Sequence, residues 1–343
     1  MSEEYPSLEN TRELALRLSL EEENKRKNDG IETHERSIIL LGSQGVGKTT
    51  MIYRFLDKDD TPKSTIAMDY SFGRKAGKSL IKDVIHVWEV GHLSSSLISA
   101  AMIGSTLIHS PHHVTIMIML DLSKPEMIWS SLEESLSVVR SAMKMSYNEK
   151  LIESMNNRRI REKRKDTEKS VDPFPMRLCI IGGKYDEFKE FDSTKKGLIG
   201  RILRATAHAL GATLHFHSSK DSALVRRTKD LLSFYGFGSQ TLKGNCADYE
   251  KPLTIIGGTD SFMAIELDLP GRLLNLEKIK QIFISRIPQG TREEIKLDDP
   301  ANHPSFSEPI IDRLKNQREE EISFLLNEML EGRSTKIPVP DPI

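Results

Sequence analysis

The chain contains little of what several protein classes require. Of its 343 residues only Cys179 and Cys246 are cysteines, too few for a disulfide framework, so a reducing, cytosolic compartment is expected. No uncharged apolar run approaches the ~20 residues that span a bilayer, and the charged N-terminus has no apolar core typical of a secretory signal. The formal net charge is −1, which argues against nucleic-acid binding through bulk electrostatics. We therefore expect neither membrane insertion nor nucleic acid as a partner.

The strongest positive signal is an apolar strand that runs directly into a glycine-rich loop. Residues 38–50 read Ile-Ile-Leu-Leu-Gly-Ser-Gln-Gly-Val-Gly-Lys-Thr-Thr, which contains the phosphate-binding pattern Gly-x-x-x-x-Gly-Lys-Thr of nucleoside triphosphatases. Glycines let the backbone N–H groups point inward, while Lys48 reaches the β- and γ-phosphates and the Thr49 hydroxyl binds Mg²⁺. The nucleotide-binding residues predicted in this loop are Gly42, Ser43, Gln44, Gly45, Val46, Gly47, Lys48, Thr49 and Thr50.

Apolar runs recur after the loop and alternate with segments of helical character. This alternation predicts an α/β fold, a Ras-like P-loop domain whose mostly parallel sheet is covered by helices on both faces. We expect a charged N-terminal arm over 1–36, the P-loop domain over 37–240, a strand and helix added to the core over 241–305, and a C-terminal helix and tail over 306–343. Strands are expected at about 65–70, 83–90, 114–120, 178–182, 212–217 and 253–256, and helices at about 47–57, 93–107, 125–155, 192–210, 220–235, 274–286 and 308–331.

Two segments outside the loop have open interpretations. The polar stretch 156–175 is predicted as a basic surface insertion, either a solvated loop or a contact for an acidic partner such as tubulin or phospholipid. Near the C-terminus an apolar stripe at helical spacing must be covered, either by the globular domain itself or by a groove on a partner. The residues of this stripe, taken as partner-binding, are Ile322, Leu325, Leu326, Met329 and Leu330.

The elements that accompany the loop in a GTPase are present only in part. Thr65 stands where a switch threonine would close on Mg²⁺ and the γ-phosphate, although it could be an ordinary strand residue. In the Asp-x-x-Gly element Gly91 fits, but Trp88 replaces the aspartate and His92 replaces the glutamine that orients water. Glu89 is adjacent to Trp88, but neighbouring side chains in a strand face opposite sides, so it is not expected to substitute.

Base recognition is better preserved. Gly183-Lys184-Tyr185-Asp186 matches Asn/Thr-Lys-x-Asp except at its first position, and Ser218-Ser219-Lys220 follows the last core strand. Each fragment alone could be a surface loop, but both at the carboxyl ends of strands favour guanine. The predicted cofactor is therefore GDP or GTP with Mg²⁺, and the sequence leaves open an empty loop. Predicted base-binding residues are Lys184, Asp186, Ser218, Ser219 and Lys220; predicted Mg²⁺ ligands are Thr49 and Thr65.

Hydrolysis is not expected. Trp88, His92 and Gln44, which fills a loop position usually held by glycine, each remove a few kcal/mol of transition-state stabilisation by our estimate. The alternative is a regulatory GTPase that hydrolyses GTP slowly, for which position 88 would carry Asp and position 92 Gln. A P-loop kinase would need a lid segment that carries arginines, and no motif in the sequence indicates one.

Several motifs together resemble the dynein light intermediate chains, and within that family its dynein 2 branch. They are the P-loop with Thr-Thr, Trp-Glu at 88–89, Leu-Asp-Leu-Ser-Lys-Pro at 120–125, Asp-Pro-Phe-Pro at 172–175, Ile-Ile-Gly-x-Lys-Tyr-Asp at 180–186 and Asp-Ser-Phe at 260–262. The resemblance covers about residues 37–305.

This resemblance implies a non-catalytic motor subunit with a Ras-like core. Its partners would be the dynein 2 heavy chain, other dynein 2 subunits and, indirectly, microtubules. It would support retrograde intraflagellar transport and cilium assembly, in the cytoplasm and cytoskeleton and in the cilium at the axoneme and basal body. Because only about forty residues follow Pro300, capture of cargo adaptors by a long tail is not expected.

Overall fold

The computed structural model describes residues 34–76, 82–106, 110–162, 172–239, 244–266, 275–290 and 308–330. The predicted N-terminal arm lies almost wholly outside the described residues. The strands are β1 (Glu35–Gly42), β2 (Met68–Ala76), β3 (Lys82–Val90), β4 (Val114–Asp121), β5 (Arg177–Gly183), β6 (Thr213–Phe216) and β7 (Thr254–Ile255). The helices are α1 (Lys48–Phe55), α2 (Ser95–Thr106), α3 (Pro125–Ser146), α4 (Glu149–Glu162), α5 (Tyr185–Phe188), α6 (Ser193–Ala209), α7 (Ser222–Phe237), α8 (Phe262–Ile265), α9 (Leu276–Arg286) and α10 (Pro309–Leu330).

Among the described residues, seven strands form one sheet in the order β2-β3-β1-β4-β5-β6-β7. The five central strands are parallel, while β2 and β7 pair antiparallel with β3 and β6. In β1, Ile38 and Leu40 face a cluster with α1 and α7, whereas Ile39 and Leu41 face a second cluster with α2, α3 and α6. Because both faces are buried, the central strands are continuously apolar. The predicted α/β fold with a mostly parallel, doubly covered sheet is confirmed.

The long helix predicted at 125–155 is wrong, because the structure divides it into α3 and α4. Tyr147 has extended backbone dihedral angles, φ −130° and ψ 146°, which end α3. Asn148 then starts α4, since its side-chain Oδ1 accepts a hydrogen bond from the Leu151 N–H at 2.8 Å. The sequence shows no proline or glycine here, so the break follows from the conformation of Tyr147 and the asparagine that caps the next helix.

The predicted insertion at 156–175 begins inside α4, which continues to Glu162. The prediction of an irregular loop is therefore wrong for its first seven residues. Residues 163–171 lie outside the described part of the chain. At its other end, the N–H groups of Asp172 and Phe174 donate to the carbonyls of Ala209 and Leu210, and the Phe174 ring is buried. The Asp-Pro-Phe-Pro motif thus anchors this segment to the end of α6.

The segment after residue 240 joins the same core. Arg204 of α6 donates to both carboxylate oxygens of Asp260, from Nε at 2.6 Å and from Nη2 at 2.8 Å, and both side chains are buried. In α9, Ile279 and Phe283 are fully buried, and the Phe283 ring lies 6.1 Å from that of Trp129. The added strand and helix are therefore part of the folded core.

Gln289 connects the end of this added segment to the start of α3. Its side-chain Oε1 accepts from the Trp129 N–H at 3.0 Å, and its Nε2 donates to the Pro125 carbonyl at 3.2 Å. An uninterrupted helix would join that carbonyl and that N–H directly. The Gln289 amide thus hydrogen-bonds both groups at the first turn of α3.

The C-terminal helix α10 forms a compact unit separate from residues 1–292. It is a 22-residue helix with charged pairs at helical spacing, such as Arg318 with Glu321 at 2.6 Å. Ile322 and Leu326 of the predicted stripe are exposed, and Leu325 is half-buried. The side chains of Met329 and Leu330 lie outside the described residues. Over the described parts of the chain, no helix combines the length and apolarity needed to cross a bilayer.

Candidate nucleotide site

The loop after β1 has the backbone conformation that phosphate binding requires. Gly42, Gly45 and Gly47 have φ values of 144°, 73° and 105°, a region that residues with a Cβ rarely adopt. At Gly42 a Cβ would also lie 2.3 Å from the Met119 carbonyl oxygen of β4, so only glycine fits there. The structure therefore has the predicted order of strand, loop and helix, and the loop leads directly into the N-terminus of α1.

Lys48 lies inside this loop rather than in solvent. Its side chain is buried, and its Nζ donates to the carbonyl oxygens of Gly42 at 2.8 Å and Ser43 at 3.0 Å. Val46 is buried beneath the loop, whereas Gln44 and Gly45 are exposed. The ammonium group is thus held at the centre of the predicted phosphate site, with Thr49 and Thr50 following in α1.

The structure corrects the interpretation of Glu89. The Thr49 hydroxyl donates to Glu89 Oε1 at 2.7 Å, and the Thr65 hydroxyl is near enough to the same carboxyl group to lower its pKa. Burial raises the pKa of Glu89, against the opposing effects of the Thr49 hydrogen bond and the Lys48 charge. A carboxyl group therefore does reach the threonine predicted to bind Mg²⁺.

The error came from the choice of face and not from the rule of alternation. Trp88 points to the opposite side of β3, where its ring packs 4.7 Å from that of Tyr70 and close to Gly104. Glu89 shares the face of Ile85 and Val87, which belong to the cluster beneath α1 and α7. Because side chains alternate along a strand, the buried residues Ile85 and Val87 predict that Glu89 points to the same face as they do. The sequence interpretation instead counted back three residues from Gly91, which gave Trp88.

Gly91 brings the segment that carries Thr65 against the end of β3. A Cβ at Gly91 would lie 2.1 Å from the Thr65 carbonyl oxygen, and the Gly91 N–H donates to the Ala67 carbonyl at 2.9 Å. The structure therefore places both predicted Mg²⁺ ligands near the Glu89 carboxyl group, Thr49 in a hydrogen bond with it and Thr65 close by. His92 is exposed beside them. Within the described ranges no cluster of three or more His, Cys, Asp or Glu side chains could hold a metal ion.

The predicted base-binding residues meet at the carboxyl ends of β5 and β6. Asp186 accepts from the Ser218 hydroxyl at 2.6 Å and pairs with Lys220 Nζ at 2.7 Å, while Ser219 is half-buried in the same turn. Although partial burial acts to raise it, the pKa of Asp186 is lowered overall by the hydrogen bonds from Lys220 and Ser218. The Lys184 ammonium lies 2.7 Å from Asp121 Oδ2. Side chains predicted to bind guanine, namely Lys184, Asp186, Ser218 and Lys220, therefore already form hydrogen bonds or ion pairs within the protein.

The packing around Gly183 explains why glycine replaces Asn or Thr at the first position of the base motif. A Cβ there would lie 2.8 Å from the Met119 Cε atom and 3.2 Å from the Val46 carbonyl oxygen. The Met119 side chain therefore occupies the space in which an asparagine would extend toward the loop. At Gly183 the phosphate loop and the base motif are therefore connected through packing against Met119 and Val46.

Comparison with known proteins decides the family. No family model matches the chain. It is 33% identical over 339 residues to a zebrafish (Danio rerio) protein named cytoplasmic dynein 2 light intermediate chain 1, covering 94% of this chain and 93% of the relative. The human protein of that name is 35% identical over 320 residues, covering 87% and 90%. This chain belongs to the dynein 2 light intermediate chain family.

Family membership confirms the resemblance predicted from the motifs, including its dynein 2 branch. It supports a non-catalytic subunit and does not favour the regulatory GTPase. In structure, the chain resembles the crystal structure of the conserved domain of a dynein light intermediate chain, with a TM-score of 0.55 at 18% identity over 78% of this chain and 94% of that one. At this identity the likeness shows the fold.

Proposed function

We propose that this chain is a non-catalytic light intermediate chain that binds and stabilises the dynein 2 heavy chain. The observation that carries the proposal is the identity of 33–35% to light intermediate chains along nearly their whole length. The proposal includes retrograde intraflagellar transport and cilium assembly, with other dynein 2 subunits as partners and microtubules contacted through the motor. It places the chain in the cytoplasm and cytoskeleton, and in the cilium at the axoneme and basal body.

Affinity purification of the tagged chain from ciliated cells tests this proposal. The dynein 2 heavy chain should co-purify in a fixed ratio to the tagged chain, and depletion of the chain should shorten cilia or accumulate transport material at their tips. Recovery of the chain without a heavy chain, from cells that contain both, would contradict the proposal.

The C-terminal helix α10 is proposed to contribute to heavy-chain binding through its apolar stripe. Ile322 and Leu326 are exposed, and burying such a side chain contributes roughly 1.5–3 kcal/mol each. Replacing Leu325 and Leu326 by Asp should therefore reduce heavy-chain co-purification at least tenfold without changing the melting temperature of the isolated chain.

A variant with the same added charge on the opposite side of α10, Gln317→Asp with Asn327→Asp, is the control and should bind the heavy chain normally. If the stripe variant instead melts several degrees lower and binds normally per folded molecule, the stripe covers the chain's own domain. In that case the docking role is wrong.

We further propose that the loop retains GDP or GTP without appreciable hydrolysis. The positive-φ glycines and buried Lys48 suit a triphosphate, and Glu89 can hold Mg²⁺ through Thr49 and Thr65 when a nucleotide is bound. Hydrolysis lacks a residue that orients water, since exposed His92 stands at that position, and exposed Gln44 fills a loop position usually held by glycine. To bind guanine, the Asp186 carboxylate must give up its hydrogen bond with Ser218 or its ion pair with Lys220.

Lys48→Ala should abolish nucleotide retention and leave heavy-chain binding nearly intact. The reason is that Lys48 provides the charge at the phosphate site, while its removal leaves the sheet unchanged. Nucleotide released on denaturation is measured by chromatography, and heavy-chain binding by co-purification. Exposed Lys195→Ala in α6 is the control and should match the unmodified chain in both. Loss of heavy-chain binding by folded Lys48→Ala protein would show that nucleotide controls assembly.

A further inference from the structure

Strand β2 lies at one edge of the described sheet, so no described strand pairs with its outer side. It pairs with β3 along all nine of its residues, from Met68 opposite Val90 to Ala76 opposite Lys82. Its backbone is therefore extended and is held by a neighbouring strand on one side only. We call this strand the β2 edge. The N–H and C=O groups on the open side of an edge strand are a template for a further strand.

The β2 edge exposes aromatic side chains on the side of the sheet that α2 covers. Tyr70 is 43% exposed and Phe72 is 52% exposed, and their rings lie 6.4 Å apart. The Tyr70 ring packs 4.7 Å from that of Trp88, which lies against Gly104 of α2. The Arg74 guanidinium lies 5.3 Å from the Phe72 ring. Exposed aromatic rings and an arginine are the residue types enriched where proteins bind one another.

The charges of the β2 edge are placed symmetrically about Phe72. Asp69 and Lys75 lie three residues before and after it, and Tyr70 and Arg74 lie two residues before and after it. All of these side chains are exposed. In an antiparallel pair with Phe72 on the two-fold axis, Asp69 would face Lys75 of the second copy, and Tyr70 would face Arg74. The strand is thus complementary to itself, with an ion pair and an aromatic–guanidinium contact on each side of the axis.

Other arrangements of two such strands lose this complementarity. Charged side chains on an edge strand usually prevent pairing, and in a parallel pair in register Asp69 would face Asp69 and Lys75 would face Lys75. An antiparallel pair shifted by two residues would place Asp69 opposite Gly73, away from Lys75. The charge pattern therefore favours one orientation and one register.

We propose that two copies of this chain bind each other through their β2 edges, antiparallel and centred on Phe72. The two sheets then form one continuous sheet. Tyr70, Phe72 and Arg74 of both copies lie on one face, and Asp69 and Lys75 lie on the other, because side chains alternate along a strand. Since each copy contributes a single strand, the interface is small and the dimer is reversible. The proposal does not depend on the P-loop or on the proposed motor function.

Sedimentation of the full chain over a hundredfold range of concentration tests the proposal, and we expect a reversible equilibrium between monomer and dimer. Asp69→Lys and Lys75→Asp should each weaken dimerisation at least tenfold, because each places like charges opposite one another. An equimolar mixture of the two variants should form the dimer again, since every substituted side chain then faces an opposite charge. Recovery in the mixture would also show that both variants are folded.

Lys150→Asp, the same charge change at an exposed position in α4, is the control and should dimerise like the unmodified chain. The proposal is overturned if the unmodified chain is monomeric at every concentration, if each variant alone dimerises as well as the control, or if the mixture stays monomeric. A monomeric chain whose heavy-chain co-purification falls with Asp69→Lys would assign the β2 edge to the heavy chain instead.

Engineered cysteines test the register. Opposite residues in an antiparallel pair have Cα atoms roughly 4.5–5.5 Å apart, within the range that a disulfide bridges. Phe72→Cys should therefore give a disulfide-linked dimer under mild oxidation. Tyr70→Cys should not, because position 70 and its copy would lie about 14 Å apart. The unmodified chain, with buried Cys179 and half-buried Cys246, gives the background. Equal cross-linking of the two variants, or none by Phe72→Cys, would contradict the proposed pairing.

Discussion

Lowering the pH from 7 to 5 should reduce the free energy of unfolding by roughly 3–4 kcal/mol, because two buried histidines stay neutral in the folded chain. Burial, with the proximity of the His217 ring and the positive charge of Arg227, lowers the pKa of His215 from 6.5 to about 3. Burial, with Arg54, lowers that of His217 from 6.5 to about 4. Since the unfolded chain binds these protons below pH 6.5 and the folded chain does not, stability is full above pH 6.5 and is lost as the pH falls.

Hydrogen bonds explain why these rings stay neutral. The Thr228 hydroxyl donates its proton to the Leu224 carbonyl at 2.8 Å, so its oxygen accepts from His215 Nε2 at 2.9 Å and from His217 Nδ1 at 2.7 Å. His215 Nδ1 then accepts from the Thr254 hydroxyl at 3.1 Å. Both rings therefore have a defined neutral tautomer, which protonation would disrupt.

Urea unfolding between pH 5 and 7 measures this dependence above the range in which most carboxylates titrate. His217→Gln should remove about half of the slope of the unfolding free energy against pH. The exposed His92→Gln should not change it. An identical slope in all three proteins would show that the buried pair does not set the acid sensitivity.

Asp260→Ala should destabilise the chain by about 3–5 kcal/mol, or lower its melting temperature by roughly 10 °C. The change leaves the Arg204 guanidinium buried without its carboxylate, with only the Tyr249 hydroxyl at 3.1 Å among the partners described here. Thermal unfolding followed by circular dichroism measures the loss.

Two further variants define the origin of this effect. Glu190→Ala removes an exposed ion pair with Lys189 and should not measurably change the melting temperature. Replacing both partners, Arg204→Met with Asp260→Leu, should restore much of the stability, because no uncompensated charge stays buried. If the single and double variants melt alike, the loss is due to packing and not to charge.

Much of the fold could be predicted from the sequence because its signals are local. The loop after β1 is a contiguous pattern, and continuous apolar strands such as β4 indicate a doubly covered sheet. The edge strand β2 is different, because its antiparallel direction depends on pairing with β3, which no residue in β2 specifies. Likewise the break at Tyr147 depends on one backbone conformation that its neighbours do not mark.

For the candidate site, the sequence predicts which residues lie close together but not which hydrogen bonds they form. Asp186 and Ser218 follow adjacent parallel strands, so their proximity could be expected from the sequence. That Ser218 and Lys220 engage both carboxylate oxygens depends on side-chain conformations, which sequence spacing does not encode.

The two hydrogen bonds of the Gln289 amide to the first turn of α3 have a consequence for cooperativity. They join Pro125 and Trp129 to a residue about 160 positions later. These two hydrogen bonds form only once the chain has been synthesised past residue 289. The Ras-like portion therefore does not end as an autonomous folding unit near residue 240. On a ribosome-bound chain, the contacts of α3 with Phe283 and Gln289 are completed only after this added segment has emerged.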